Sequence, residues 1–187
     1  MNDFEVIYAD PPWDYYGSTT KMGAAGKHYD LMSDQELLDF PVVKNSLAKP
    51  GVLFLWATSA RLDFALDCIR AWGLHYRGVA FVWVKTRKDG GIIGAQGVRP
   101  SITKPTTEFV LAASNIARGR PLPLASEKVP QVFLAPRRQH SRKPDEVRKR
   151  IEELYPDARK LEIFARTTTP GWQVWGNETN KFGGLQE

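Results

Sequence analysis

The chain has 187 residues, 42% hydrophobic and 25% charged, which suits one soluble domain with a substantial core and excludes a disordered or low-complexity polymer. Its single cysteine, Cys68, excludes an internal disulfide and a cysteine-clustered zinc site. The formal net charge of +5 hints at an anionic partner, and with no leader-like N-terminus and no apolar run of spanning length, a cytoplasmic protein without a membrane partner is expected.

The apolar run from Phe4 to Ala9 reads as a first strand that stops at Asp10-Pro11-Pro12-Trp13. A loop from 14 to 31, rich in Gly, Thr and Lys, follows. Ser33-Asp34-Gln35-Glu36 has the reciprocal capping pattern that opens a helix, which Pro41 interrupts or restarts. Pro50-Gly51 turns the chain into Val52 to Trp56, a continuous apolar run of the kind buried on both faces. Leu62, Leu66, Ile69 and Trp72 keep helical spacing, and Gly73 is placed to end that helix. Val79 to Val84, Glu108 to Ala112 and Val132 to Leu134 read as strands. The glycine-rich, basic segment 85–106 between the first two reads as a mobile substrate-side loop, as does 14–31. Pro144 fits the first position of a helix with Val147, Ile151 and Leu154 on its inner face. Lys160 to Ala165 is the last well-marked strand, and Trp172 to Trp175 adds a short one. Strands alternating with amphipathic helices over 1–187 predict a single α/β domain with a mostly parallel, doubly wound sheet. Ligands of such sheets sit beyond the carboxyl ends of the strands, where Asp10 and Arg166 fall.

The residues at the end of the first strand suit a flat, polar ligand. Proline carries no N–H, so Pro11 and Pro12 present rigid carbonyl acceptors; Asp10 adds carboxylate oxygens and Trp13 a face for stacking. The exocyclic amino group of a nucleobase is the ligand this set matches best. A Pro-Pro turn closing a strand over a buried Trp13 is the alternative that these residues alone leave open. Positive charge gathers in two stretches, Lys85, Arg87, Lys88, Arg99 and Lys104, and then Arg137, Arg138, Arg142, Lys143 with Arg148, Lys149 and Arg150. Beside an aromatic-proline motif they fit phosphate-backbone contact.

Asp10-Pro11-Pro12-Trp13 resembles motif IV of the amino-group methyltransferases that act on adenine N6 or cytosine N4. Further landmarks follow in order: His28-Tyr29, Leu53-Phe54-Leu55-Trp56, Trp83-Val84-Lys85-Thr86, Thr107-Glu108, His140-Ser141-Arg142-Lys143-Pro144-Asp145-Glu146, Lys160 to Arg166, Trp172 and Gly176-Asn177. The ordered set resembles the adenine-N6 methyltransferase family named after the seventy-kilodalton catalytic subunit of the eukaryotic mRNA adenosine methyltransferase, and its small bacterial and phage DNA members in particular. The resemblance implies a Rossmann-like class I AdoMet-dependent fold with permuted motif order, the strand at Leu161 to Phe164 serving the cofactor although it follows the catalytic strand. It implies Asp10, Pro11, Pro12 and Trp13 as the catalytic set. It further implies cofactor contacts from Asp10, Lys143, Arg166, Asn177 and Glu178, with Lys143 holding the cofactor's carboxylate. Tyr29 and Glu108 match positions lining the adenine pocket, and Trp13 and Tyr15 are further contacts for the base. No metal is required. The chain begins almost at its first strand, so the adenosine end of the cofactor is expected to be held differently from longer members. DNA is the expected partner; RNA, a silent nucleic-acid-binding subunit on the same fold, and help from a second copy or partner subunit stay open.

Overall fold

The computed structural model describes residues 3–13, 32–93, 102–138 and 142–176. The central strands are apolar along their middles because both of their faces are covered. In β1 (Phe4–Ala9), Val6 and Tyr8 point into one layer and Ile7 and Ala9 into the other. In β2 (Leu47–Ala57), Val52, Phe54 and Trp56 share the first layer, and Leu53, Leu55 and Ala57 the second. The alternation follows from the two-residue period of a strand. It splits one apolar sequence run between two separate cores.

The second layer is filled by α1 (Asp34–Leu38), α2 (Val42–Ser46) and α3 (Leu62–Ala71), and the first by α4 (Glu146–Leu154). Helix α1 opens on the expected box: Ser33 Oγ accepts from Glu36 N–H, and the Glu36 carboxylate accepts from Ser33 N–H at 2.8 Å. The chain restarts as α2 directly after Pro41. Helix α3 buries Phe64, Ala65, Cys68 and Ile69 and ends at Gly73, whose φ of 75° a side chain would resist. Truncating a residue such as Ile69 to alanine would cost about 2–5 kcal/mol, the usual range for a fully buried aliphatic chain.

Strands β3 (His75–Thr86), β4 (Thr107–Ser114), β5 (Val132–Pro136), β6 (Lys160–Ile163) and β7 (Trp172–Trp175) complete the sheet, in the order β5-β3-β4-β2-β1-β6-β7. The pairs β1–β2, β1–β6, β6–β7 and β3–β5 are parallel, whereas β4 runs antiparallel to both β2 and β3. The sheet is therefore mostly parallel, as expected, with one reversed strand that the sequence pattern did not distinguish. Among the described residues no helix is long and apolar enough to cross a membrane.

Several boundaries differ from expectation, β4 and β5 among them by one or two residues at an end. Strand β2 begins at Leu47, five residues early, because Ser114 and Asn115 at the end of β4 bond the backbone at Gly51 and Ala48. Strand β3 runs from His75 to Thr86: its early start contains register irregularities at Tyr76/Gly78 and Val79/Phe81, and parallel pairing with β5 through Thr86 and Pro136 extends its end. Pro144 stands just outside α4, with Asp145 at the cap position. Strand β6 stops at Ile163 because Phe164 has φ 62°, a left-handed conformation that costs an L residue about 1–2 kcal/mol.

Candidate active site

Parallel strands β1, β2, β3, β5 and β6 all finish at one end of the sheet, and β4, being reversed, begins there. That places Asp10, Lys85, Glu108 and Phe164 at the same end. Asp10 directly follows β1, and its side chain is 16% exposed. Lys143, just ahead of α4, reaches across so that Nζ lies 2.8 Å from Asp10 Oδ1 and 3.4 Å from Glu108 Oε2. Lys85 Nζ lies 2.6 Å from the other Glu108 oxygen. Two lysines and two carboxylates thus alternate along one line, Lys85–Glu108–Lys143–Asp10. Burial opposes the charge on Glu108, but Lys143 and Lys85 outweigh it and hold its carboxyl below the usual carboxylate range.

The line rests on two tryptophans. Lys143 Nζ is 5.3 Å from the Trp56 ring centroid and Lys85 Nζ 5.3 Å from that of Trp83, within cation–π range. Trp56 Nε1 donates to Tyr8 Oη at 2.5 Å and Trp83 Nε1 to the Ala135 carbonyl at 2.9 Å, so both rings are fixed by their polar ends. Burial raises the Tyr8 hydroxyl well above its ordinary pKa and keeps it neutral.

A cleft opens between the ends of β1 and β6, lined by Asp10, Lys143, Arg142, Arg166, Phe164 and Tyr8 among others. Beneath it Arg148 makes two bonds to Glu162, 2.7 Å from Nε and 2.5 Å from Nη2, and one to Asp145. Burial pushes Glu162 up against the pull of this guanidinium, and the pair holds Arg148 above its ordinary value. Arg148 is therefore an internal brace, not the phosphate contact that its basic run suggested. Arg150 is likewise drawn in, over the Phe133 ring and onto the Pro130 carbonyl.

Trp13 is not an open stacking face. Its indole is 4% exposed, donates to the Trp56 carbonyl at 3.2 Å and meets Phe64 edge-on. The physical reason is its position one residue beyond a proline pair, where the turn folds the ring back under the sheet end. The same turn gives the Pro11 carbonyl a donor, Trp13 N–H at 2.8 Å, so this oxygen has one lone pair left rather than two. Lys85, expected to meet substrate directly, is committed to Glu108 and is 19% exposed.

The two basic stretches converge at the outer corner of this end. Arg137 N–H bonds the Thr86 carbonyl, which sets Arg137 and Arg138 beside Arg87 and Lys88. Arg138 pairs with Asp145 and Arg87 with Asp89, whereas Lys88 and Arg137 are exposed. Tyr15, Tyr29, Arg99, Asn177 and Glu178, with the whole of loop 14–31, lie outside the described residues. Of segment 85–106 the start is an ordered turn, with Arg87 N–H on the Gly91 carbonyl at 2.7 Å, and Thr86 bridges Ile92.

A protein-family model described as MT-A70 matches residues 4–178, and so takes in every strand and helix above. The chain belongs to the MT-A70 family. Among its relatives is the Type II methyltransferase M.MunI of a Mycoplasma species, 33% identical over 94% of this chain and 77% of that protein. An N(6)-adenosine-methyltransferase MT-A70-like protein of Arabidopsis thaliana is 32% identical over 96% of this chain, and the human N(6)-adenosine-methyltransferase catalytic subunit METTL3 is 29% identical over 95%. The match takes up only 24% and 28% of those two proteins. MT-A70 methyltransferases depend on AdoMet. The cleft suits that cofactor chemically, since it sets the carboxylates of Asp10, Asp145 and Glu162 and several cations against a molecule carrying an ammonium, a carboxylate and a sulfonium. The MT-A70 motif residues at Trp56, Trp83 and Glu162 were visible in the sequence without an evident task. A charged residue inside an apolar strand, Leu161-Glu162-Ile163, signals a buried partner, and Arg148 is that partner.

Proposed function

We propose that this MT-A70 chain methylates the N6 amino group of adenine in DNA. The observation that carries the reading is the Asp10 carboxylate, held at the end of β1 and in contact with Lys143, at the mouth of a cleft suited to AdoMet. Bound AdoMet supplies an electrophilic methyl group on sulfur. An adenine amino nitrogen is a weak nucleophile because its lone pair is delocalised into the ring. Asp10, together with the remaining lone pair of the Pro11 carbonyl, accepts the amino protons and turns the nitrogen's lone pair out of the ring plane. Alignment of this kind is worth roughly 7–11 kcal/mol. Asp10 also accepts the released proton. Lys143 and Arg166 hold the charged groups of the cofactor, and Glu108 lines the base side, kept ionised by Lys143 and Lys85.

The exposed corner formed by Lys88 and Arg137 contacts the phosphate backbone, and Arg87 and Arg138 add charge there. A duplex substrate has to yield its target base, at a cost of a few kcal/mol that these contacts offset. The relatedness to a type II methyltransferase supports DNA as the substrate.

Purified protein, AdoMet and adenine-unmethylated DNA, run beside a matched RNA pool and digested to nucleosides for mass spectrometry, test the assignment. The expected product is N6-methyldeoxyadenosine, absent with Asp10→Ala. Methylation of RNA alone would move the substrate assignment. A lack of product on either, with DNA binding unaffected by Asp10→Ala, would indicate a silent binding subunit.

A further inference from the structure

The turn that ends β6 is made by the wrong kind of residue. Phe164 has φ 62°, and it is the one non-glycine residue with positive φ among the described residues. Glycine is the default where a chain must turn left-handed, and a bulky residue there is a genuine outlier that persists only when its surroundings fix it. The surroundings here are aromatic. The Phe164 ring lies 4.9 Å from Phe40 and 5.8 Å, edge-on, from Trp175, and Phe40 and Trp175 are themselves 5.1 Å apart. The three rings close a triangle between the α1–α2 link, the turn after β6, and β7.

The backbone beyond the turn is held as tightly. Ala165 N–H bonds the Trp175 carbonyl at 3.1 Å. Gly176 packs so close that a Cβ there would stand 2.5 Å from the Ala165 oxygen and 2.8 Å from its nitrogen. Phe164, Arg166 and Thr167 all line the cleft next to Asp10 and Lys143. Strand register puts Ile163 opposite Ala9, so the turn begins level with the residue before Asp10.

We propose that Phe164 is a positioning residue for the cofactor: the Phe40–Trp175 clamp locks it left-handed, and the locked turn lays Arg166 and Thr167 along the floor of the AdoMet cleft. The inference rests on the assignment of that cleft to AdoMet. Ring and turn are separable by mutation. Phe164→Gly and Phe164→Ala both delete the ring, but glycine adopts φ 62° freely and alanine does not. An alanine turn relaxes toward the extended region, and the cofactor has to pull it back. Its apparent affinity then falls by the fraction of chains holding the turn.

Isothermal titration of AdoMet into folded wild type, Phe164→Gly, Phe164→Ala and Phe40→Ala tests this without any turnover. Phe164→Ala should bind about 5–30-fold more weakly than Phe164→Gly, the ratio set by the left-handed penalty. Phe40→Ala, which leaves Phe164 in place and unclamped, should also bind more weakly than wild type. Circular dichroism at the titration temperature confirms that each variant is folded, so a purely structural role predicts equal affinities for all. Equal dissociation constants for the glycine and alanine variants would overturn the role of the turn. A Lys143→Met control separates the two layers of the argument. If that change leaves AdoMet affinity intact, the cleft assignment itself fails and Phe164 falls with it. If Lys143→Met weakens binding while the two Phe164 variants match, only the inference about Phe164 is lost.

Discussion

Lys143 Nζ lies 2.8 Å from the Asp10 carboxylate, which joins the segment before α4 to the end of β1 at the mouth of the cleft. The two proposed roles, proton acceptor and cofactor anchor, are therefore neighbours, and each is testable without the other. Asp10→Asn keeps the shape and removes the charge. Turnover should fall about 100-fold or more, the scale of losing one preorganised electrostatic contact, with DNA affinity little altered. Lys143→Met should instead raise the AdoMet dissociation constant about 10–100-fold, as for a lost hydrogen bond to a charged group. Single-turnover methyl transfer and calorimetry read the two effects; matching losses in both assays would contradict the division of labour.

Glu108 should make stability depend on acidity. Burial raises its carboxyl, yet Lys143 and Lys85 bring it below the ordinary value in the folded chain. The unfolded chain then takes up the proton first as pH falls. The stabilisation is fully present above the unfolded value of about 4.3 and is lost as pH drops through the folded one. Urea unfolding of wild type should weaken across that window, and Glu108→Gln should flatten the dependence there.

The Arg148–Glu162 pair is buried, at 12% and 7% exposure, and breaking it from one side strands a charge. Arg148→Ala or Glu162→Ala should each cost about 3–5 kcal/mol. A double replacement by apolar residues of similar volume should recover most of that. Denaturant midpoints for the three variants decide it, since equal losses in all three would mean that the charges themselves carry the stability.

Lys88 and Arg137 are exposed at the corner assigned to phosphate contact. Replacing either by alanine should lower the slope of log affinity against log salt by about one and weaken all sequences alike. A loss confined to one DNA sequence, measured by anisotropy across a salt series, would assign these side chains to base reading instead.

Cys68 sits in the α3 core with no exposed surface, and burial pushes its thiol up to about 12. The native protein should therefore resist thiol reagents at pH 8 and react only after denaturation, as colorimetric titration with and without urea would reveal.

Much of the fold could be read from residues. Ser33 and Glu36 announced α1, the β1 and β2 runs announced buried strands, and Gly73 announced the end of α3. The reversal of β4 could not be read, because Thr107–Ser114 carries the same apolar pattern whichever way it runs. At the site, Asp10, Glu108 and Lys143 were all singled out from their motifs, but nothing in the spacing shows that Lys143 joins the other two. The pairings of Lys85 and Arg148 could not be read, for a single reason. A basic run is one-dimensional, whereas pairing with Glu108 or Glu162 depends on strands far apart in sequence. Trp13 belongs to the same lesson, since a tryptophan in a turn looks identical whether its face is open or packed on Phe64.

The position of β1 between β2 and β6 also shapes how the molecule comes into being. Arg159 N–H bonds the Glu5 carboxylate across 154 residues, and Val6 pairs with Lys160. The strand that leads to Asp10 is synthesised well ahead of β6, its neighbour in the sheet. Closing so long a span carries a large entropic cost before any contact repays it, so the topology favours slow folding and leaves one edge of β1 bare during translation. A nascent chain that has not yet reached β6 carries both Asp10 and Lys143 but lacks the turn at Phe164 that floors the cleft. Connectivity alone thereby keeps the cleft unformed until β6 is in place.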